Sequence, residues 1–529
     1  MFRGIFKFFK RINKDYYFDY FLVFVIALVL FSWLQVSPAL PEPDSFYHAK
    51  VATILSEGKV LKSFPWLQET NLKENFVDHH FLYHLFLAPF VRLTDPLIGV
   101  KVATVIFSSL LVLAVYWLFK KFQLKFPLLF LLFLLTSQPW LFRASLVKAP
   151  AVFLIFFILA FYLLVHQKWL ALFTVSFLSV WLYAGWPLLL VLAAVYLLVS
   201  WLLGRFRLED SIWYKIKQIF KSKKQTVSWK GLGYVAAGLM GGLVVNPYFP
   251  ANLNFYWQQI VKIALVNYQT VIGVGGEWYP YGFMNLISDA PLVCALLVVS
   301  LLLFALTFKK QSIYTWVFLI LTLAFFVLTL KSRRQVEFFI PLAVIFSAFC
   351  FSDYFKRLSR FHLGVLMHPS WQIFFSLIIL VFGLGFALQI PTGLAKVKAD
   401  MQSGRPLDHY QASGGWLKAN TPRNSIVFNT DWDDFPALFY QNSHNFYLTG
   451  LDPTFMYERD NQKYRQYADI TLGNQYRDLK RLIKNEFKAD YVFLDKKHDN
   501  LERLLRHHVD FKKVYEDSEA IIYQVINNG

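Results

Sequence analysis

Apolar positions are arranged in two ways along this chain. Up to about residue 391 they cluster in blocks at 20–40, 98–119, 126–142, 149–166, 169–184, 187–204, 231–246, 291–308, 312–330, 336–352 and 371–391. Most blocks approach the roughly 20 residues a helix needs to cross a bilayer. This pattern predicts a helical membrane domain over residues 1–391 with about eleven transmembrane helices. After that, the apolar runs are short and separated by polar segments. Ser425–Asn429, Asn445–Thr449 and Tyr491–Asp495 read as strands, with helical patterns between them such as Tyr476–Phe487. Phe511–Glu516 and Ala520–Ile526, split by Asp517 and Ser518, read as a terminal hairpin. The predicted fold class is a multi-pass α-helical membrane protein with a C-terminal α/β soluble domain over residues 392–529.

Composition narrows this. Of 529 residues, 56% are hydrophobic and 16% charged, and mean hydropathy is +0.42. Soluble globular chains are about a quarter charged, so an ordinary cytosolic enzyme and a disordered chain are both excluded. Cys294 and Cys350 both lie in apolar runs, which excludes a disulfide framework and a cysteine metal site.

The net charge of +19 is uneven: from Pro391 onward 19 basic and 19 acidic residues cancel, so the excess lies on the first 390 residues. A basic excess among membrane spans marks cytoplasmic loops. Lys120-Lys121, Lys168, the stretch Arg205–Lys230, Lys309-Lys310 and Lys356, Arg357 and Arg360 all fall on one side of the predicted topology. The leader with Arg3, Lys7, Lys10, Arg11 and Lys14 puts the N-terminus in the cytoplasm, and the run after it is too long for a signal peptide. Three segments are then extracytoplasmic: 41–97, 247–290 and the chain after 391. With no eukaryotic retention signal, a bacterial or archaeal plasma membrane is expected. No basic stripe marks the soluble domain, so no nucleic-acid partner is expected.

Basic groups on the outer side break the charge rule and point to an anionic partner there. They are Arg143, Lys148, Lys331, Arg333 and Arg334. Guanidinium groups suit phosphate, and Glu337 is spaced to orient one of them. Acids in the outer loops are the natural bases. Asp44 follows the first span between stiffening prolines and is also placed to cap a helix. Asp78-His79-His80, with His84 one turn on, offers oxygen and imidazole ligands. Asp44, Asp78 and His80 are therefore a candidate set for a divalent cation, Mg or Mn. Glu277 lies among Gly273, Gly275 and Gly276, with Trp278, Tyr279 and Tyr281 behind it. Ala251–Tyr268 reads as an amphipathic helix on the membrane surface. Asp431-Trp432-Asp433-Asp434, after a predicted strand, forms a ligand loop or a helix cap.

Together these residues resemble the GT-C superfamily of integral-membrane glycosyltransferases, and within it the oligosaccharyltransferase catalytic subunit. Asp44-Ser-Phe-Tyr-His resembles that family's acid before an aromatic helix, Glu277 its loop glutamate, and Arg333 or Arg334 its diphosphate-binding arginine. Asp431-Trp432-Asp433-Asp434-Phe435 stands where the family has Trp-Trp-Asp-Tyr-Gly, keeping only Trp432-Asp433. Where the family carries a second acid, near Arg143–Lys148, this chain has Lys148. The resemblance implies transfer of a sugar or glycan from a polyprenyl-(di)phosphate donor to a protein or glycan acceptor at the outer face. It implies Asp44, Glu277 and Asp78 as catalytic groups, and Arg333, Arg334 and Arg143 as donor-phosphate ligands. Trp432, Asp433 and Asp434 would hold the acceptor. Lys148 leans the reading toward single-sugar transfer from a polyprenyl monophosphate. A transporter or flippase of anionic lipids is the alternative from another class.

Overall fold

A computed structural model describes residues 17–206, 229–361 and 369–526. The basic leader and most of the Arg205–Lys230 stretch lie outside the described residues.

Each apolar block forms a helix, but not each forms a full span. Among the described residues six helices are long and apolar enough to cross a membrane, or seven if one bent pair counts as a span. The six are Phe18–Gln35, Pro96–Lys121, Pro187–Gly204, Pro291–Lys310, Ile313–Lys331 and Arg333–Lys356. The expected eleven is therefore too high by this measure. Pro150–Val165, Trp169–Leu182 and Lys230–Val244 are apolar but of 16, 14 and 15 residues. Proline opens several helices, at Pro96, Pro150 and Pro291, where its missing N–H costs nothing. Asp95 caps the first of these, accepting from the Leu97 and Ile98 amides at 3.0 and 3.3 Å. The protein is an integral membrane protein by these helices.

The block 126–142 is broken. Pro127–Leu135 and Gln138–Ala144 meet at 83°, with Pro139 in the first turn of the second piece. The bend carries Arg143 to the end of a short buried helix rather than to the rim of a straight span.

The C-terminal region follows the expected strands closely. β1 (Ala39–Leu40) pairs antiparallel with β2 (Arg405–Pro406). β3 (Ile426–Asn429), β4 (Phe446–Tyr447), β5 (Tyr491–Asp495), β6 (Phe511–Glu516) and β7 (Ala520–Val525) form one mixed sheet in the order β4-β3-β5-β7-β6. β3 is parallel to both β4 and β5, and the hairpin β6–β7 adds antiparallel to β5. A second core of Phe428, Ile483, Val492, Leu501 and Ile521 lies beneath it.

This sheet is joined to the loop after helix Asp44–Ser56. The Gln68 and Glu69 amides donate to Tyr447 and Leu448 carbonyls at 2.8 and 2.9 Å, extending the sheet edge beyond β4. Helix Phe435–Gln441 packs on helix Asp44–Ser56, with Phe46 and Tyr440 rings 5.8 Å apart. Aromatic packing thus fixes Asp431–Asp434 opposite Asp44.

Candidate active site

A cavity of about 760 Å³ opens between the membrane helices and the sheet domain. Its polar lining includes Asp44, Lys148, Glu277, Arg334, Asp431 and Asp433, and Trp432 and Trp278 face it as well. Its apolar side carries Leu188, Ile260, Ile263, Phe325, Leu328 and Phe338.

One wall is a dense ion network. Glu277 Oε2 accepts from Arg143 at 2.6 Å and from Lys148 at 3.2 Å, and its Oε1 accepts from Arg334 at 2.9 Å. Arg143 reaches Glu337 through Nε and NH2, at 3.1 and 2.9 Å. Lys148 Nζ lies 3.2 Å from Glu42 and 3.5 Å from Asp44. Arg334 stacks 4.9 Å over the Trp278 ring and donates to the Tyr183 hydroxyl at 3.3 Å. Burial opposes ionisation of Glu277, but Arg334, Lys148 and Arg143 outweigh it and hold its carboxyl well below the ordinary range. Burial pushes the Asp44 carboxyl up to about 6; Lys148 pulls against this while Glu42 and Glu277 add repulsion. The Asp44 side chain keeps a third of its surface open. It is walled in by protein yet wetted from the cavity.

The structure brings some of the candidate residues to the cavity and holds others away from it. Asp44 begins helix Asp44–Ser56 but makes no capping bond, so its carboxylate is left for the cavity. Of the two expected arginines, only Arg334 lines the cavity; Arg333 is exposed, anchored through its backbone to Tyr279 at 2.9 Å. Arg143 stands behind Glu277 as a buried strut and does not line the cavity. Trp432 and Asp433 line it, and Asp433 is held by Arg405 at 2.7 Å. Asp434 does not: it is buried, accepts from the Tyr410 hydroxyl at 2.8 Å, and caps helix Phe435–Gln441 without a side-chain bond. Ala251–Trp257 is helical and continues as a wider helical turn through Val266.

The expected cation set does not assemble. Asp78 is buried, accepting from the His84 ring at 2.7 Å and the His80 amide at 3.0 Å. His80 turns its Nδ1 to the Leu182 carbonyl at 3.4 Å, and burial with the neighbouring His84 pulls it down to about 3. Among the described residues the one group of three or more His, Cys, Asp or Glu side chains whose ligand atoms all lie within 4.8 Å of one another is Asp431, Asp495 and His498. It sits where β3 and β5 end, and Asp431 reaches from it to the cavity. Burial and Asp433 push Asp431 up to about 6, against His498.

Sequence reasoning missed Glu42, His48 and Tyr183 as cavity residues. His48 was within reach: it follows Asp44 by four positions and so shares its helix face. Tyr183 depends on tertiary packing and has no local signal.

No family model and no curated protein matches the sequence. Solved structures do match in fold. The archaeal oligosaccharyltransferase AglB from Archaeoglobus fulgidus, in complex with an inhibitory peptide and a dolichol-phosphate, aligns with TM-score 0.56 and 12% identity, covering 96% of this chain and 74% of that one. The apo form of the A. fulgidus oligosaccharyltransferase aligns with TM-score 0.54 and 13% identity over 97% and 75%. The arabinofuranosyltransferase AftD from Mycobacteria aligns with TM-score 0.53 and 11% identity over 97% of this chain and 40% of its own. The chain therefore shares its fold with these membrane glycosyltransferase structures over nearly its whole length.

Proposed function

We propose that the chain is a glycosyltransferase that takes its sugar from a polyprenyl-phosphate donor at the extracytoplasmic face of the membrane. The observation that carries this is the cavity itself: Lys148 and Arg334 at one end, an apolar wall of Phe325, Leu328, Ile260 and Ile263, and a carboxylate-flanked Trp432 across from them. A phosphate with an isoprenoid tail fits the first two features, and an acceptor fits the third.

The donor phosphate takes the place Glu277 now holds. Arg334 and Lys148 exchange one carboxylate for phosphate oxygens and then neutralise the charge that grows as the glycosyl bond breaks. Glu277, on a loop with Gly273, Gly275 and Gly276, is thereby released toward the acceptor side. The apolar wall favours a single membrane-bound chain. Lys148 beside Asp44 favours a monophosphate, because the compact site offers two cavity-lining cations rather than a longer row.

A divalent cation does not fit the Asp44 site. Lys148 already bridges Glu42, Asp44 and Glu277 at 3.2–3.5 Å, so a fixed ammonium occupies the centre that a cation bound to these acids would need. Asp431, Asp495 and His498 would be the ligands of any bound Mg or Mn ion.

Native mass spectrometry of the full-length protein tests the reading. Wild type and Arg333→Ala are expected to carry a polyprenyl phosphate that Arg334→Ala loses. Only bulk phospholipid in all three overturns it and favours a transporter or scaffold.

A further inference from the structure

Beside the ion network lies a second chain of buried polar groups that the phosphate chemistry leaves unused. Asp78 Oδ2 meets His84 Nδ1 at 2.7 Å, and His84 Nε2 meets His48 Nδ1 at 2.8 Å. All three side chains are buried, His84 completely. His48 is the member that lines the cavity, one helical turn after Asp44.

Donor and acceptor accounting fixes the protons. Ionised Asp78 can only accept, so His84 carries its proton on Nδ1. A neutral His84 then has a bare Nε2, which accepts from His48 Nδ1–H. That leaves Nε2 of His48, the one ring of the three that lines the cavity, without a proton. This is the logic of a nucleophile–base–orienter triad with one imidazole added.

We infer that Asp78, His84 and His48 form a proton relay whose end, His48 Nε2, is the general base for a carbohydrate hydroxyl acceptor. The inference rests on the transferase reading above and names its acceptor. An amide nitrogen is a poor match, because its lone pair is delocalised into the carbonyl and one neutral imidazole does not free it. A hydroxyl keeps its lone pairs and needs only to lose a proton as it attacks. Trp432 between Asp431 and Asp433 supplies a flat apolar face with acceptors on both sides, the chemistry that holds a sugar ring.

The step balances. The acceptor oxygen forms a bond to the anomeric carbon while its proton passes to His48 Nε2. The carbon–oxygen bond to phosphate breaks, and its electron pair leaves on the phosphate, beside Arg334 and Lys148. His48 becomes an imidazolium, which burial and the neighbouring His84, His80 and Lys148 oppose, so it is transient and its proton moves on along the hydrogen bond toward His84 and Asp78. His48 is the catalytic residue; His84 and Asp78 are positioning residues.

The test uses the full chain in nanodiscs and the labelled lipid-linked sugar fraction from the producing organism's membranes. Octyl glycosides, an Asn-Xaa-Thr peptide and a Ser/Thr peptide are offered as acceptors. Label is expected to reach the octyl glycosides. His48→Ala should lower kcat by roughly 100-fold or more, with donor retention by native mass spectrometry intact and partial rescue by added imidazole. His84→Gln should lower kcat with KM unchanged. If wild type labels a peptide instead, the acceptor class is wrong. If His48→Ala keeps its rate, or imidazole fails to rescue while KM rises, the relay is wrong and the transferase reading stands. No transfer by wild type to any acceptor overturns both.

Discussion

The two walls of the cavity handle charge in opposite ways. On the membrane side, Arg143, Lys148 and Arg334 are interleaved with Glu42, Asp44, Glu277 and Glu337, and each of these carboxylates has a cation at 2.6–3.5 Å. On the sheet side, Asp431, Asp433, Asp434 and Asp495 gather with Arg405 on Asp433 and Lys497 and His498 at the rim. Burial, with Asp431, Asp433 and Asp495 around it, pushes Asp434 well above the ordinary carboxylate range. A balanced wall is built to trade one anion for another, whereas an acid-rich wall is built to accept hydrogen bonds. On the proposed function, donor and acceptor would have separate electrostatic homes.

Lys148→Met should break the balance most. Removing one partner of a buried ion network costs about 3–5 kcal/mol, and here three carboxylates lose a common counter-charge. The expected result is a lower melting temperature and loss of transfer, while chelation of divalent cations leaves the wild-type rate unchanged. A stable and active Lys148→Met protein would show that the ammonium is not the centre of that wall. Glu277→Gln comes next. It frees Arg143, Arg334 and Lys148 from a competing carboxylate, so polyprenyl phosphate should bind roughly tenfold tighter. Weaker binding in a titration would mean that Glu277 holds the cations in place rather than competing for them.

Much of this was legible in the sequence, for identifiable reasons. The strands of the C-terminal region could be read because each is a short apolar run bounded by polar or turn residues, as Tyr491–Asp495 is. Asp44, Glu277 and Trp432 stood out as polar or interfacial residues in loops of an apolar chain. The span count ran high because apolar blocks do not fix helix length: 149–166, 169–184 and 231–246 form helices of 16, 14 and 15 residues, and 126–142 turns by 83° at Thr136-Ser137. The metal set failed because residue type does not fix partners. Asp78 and His84 satisfy each other, so neither is free to ligate. Arg333 and Arg334 are equivalent in sequence, and only the turn that follows Ile313–Lys331 decides which one faces inward.

Asp431→Asn probes the acid-rich wall with a smaller effect. The folded protein raises this carboxyl to about 6, from about 3.9 in an unfolded chain. A raised carboxyl contributes stability that is complete below about pH 4 and is lost as pH rises through about 6. The Asn variant should therefore melt higher than wild type at pH 7.5 by on the order of 1 °C, given the partial exposure of the site, and show no advantage at pH 4. Mn²⁺ should stabilise wild type and not the variant if Asp431, Asp495 and His498 bind it. An advantage that persists at pH 4 would trace the effect to packing instead of charge.

The smallest expected effect tests the seam between the walls. Gly275 lies between Glu277 and Trp432, with φ of −55°, and a Cβ there would meet Trp432 at 3.5 Å, an ordinary contact. Gly275→Ala is therefore free of strain in the observed conformation, and its stability should stay within about 0.5 kcal/mol of wild type. If Glu277 leaves the cations by a modest hinge at Gly273 and Gly276, which have open space around them, transfer should also change little. A large drop in kcat with unchanged stability would show that the loop passes through backbone states only glycine adopts. The two walls would then be coupled by that motion and not merely set side by side.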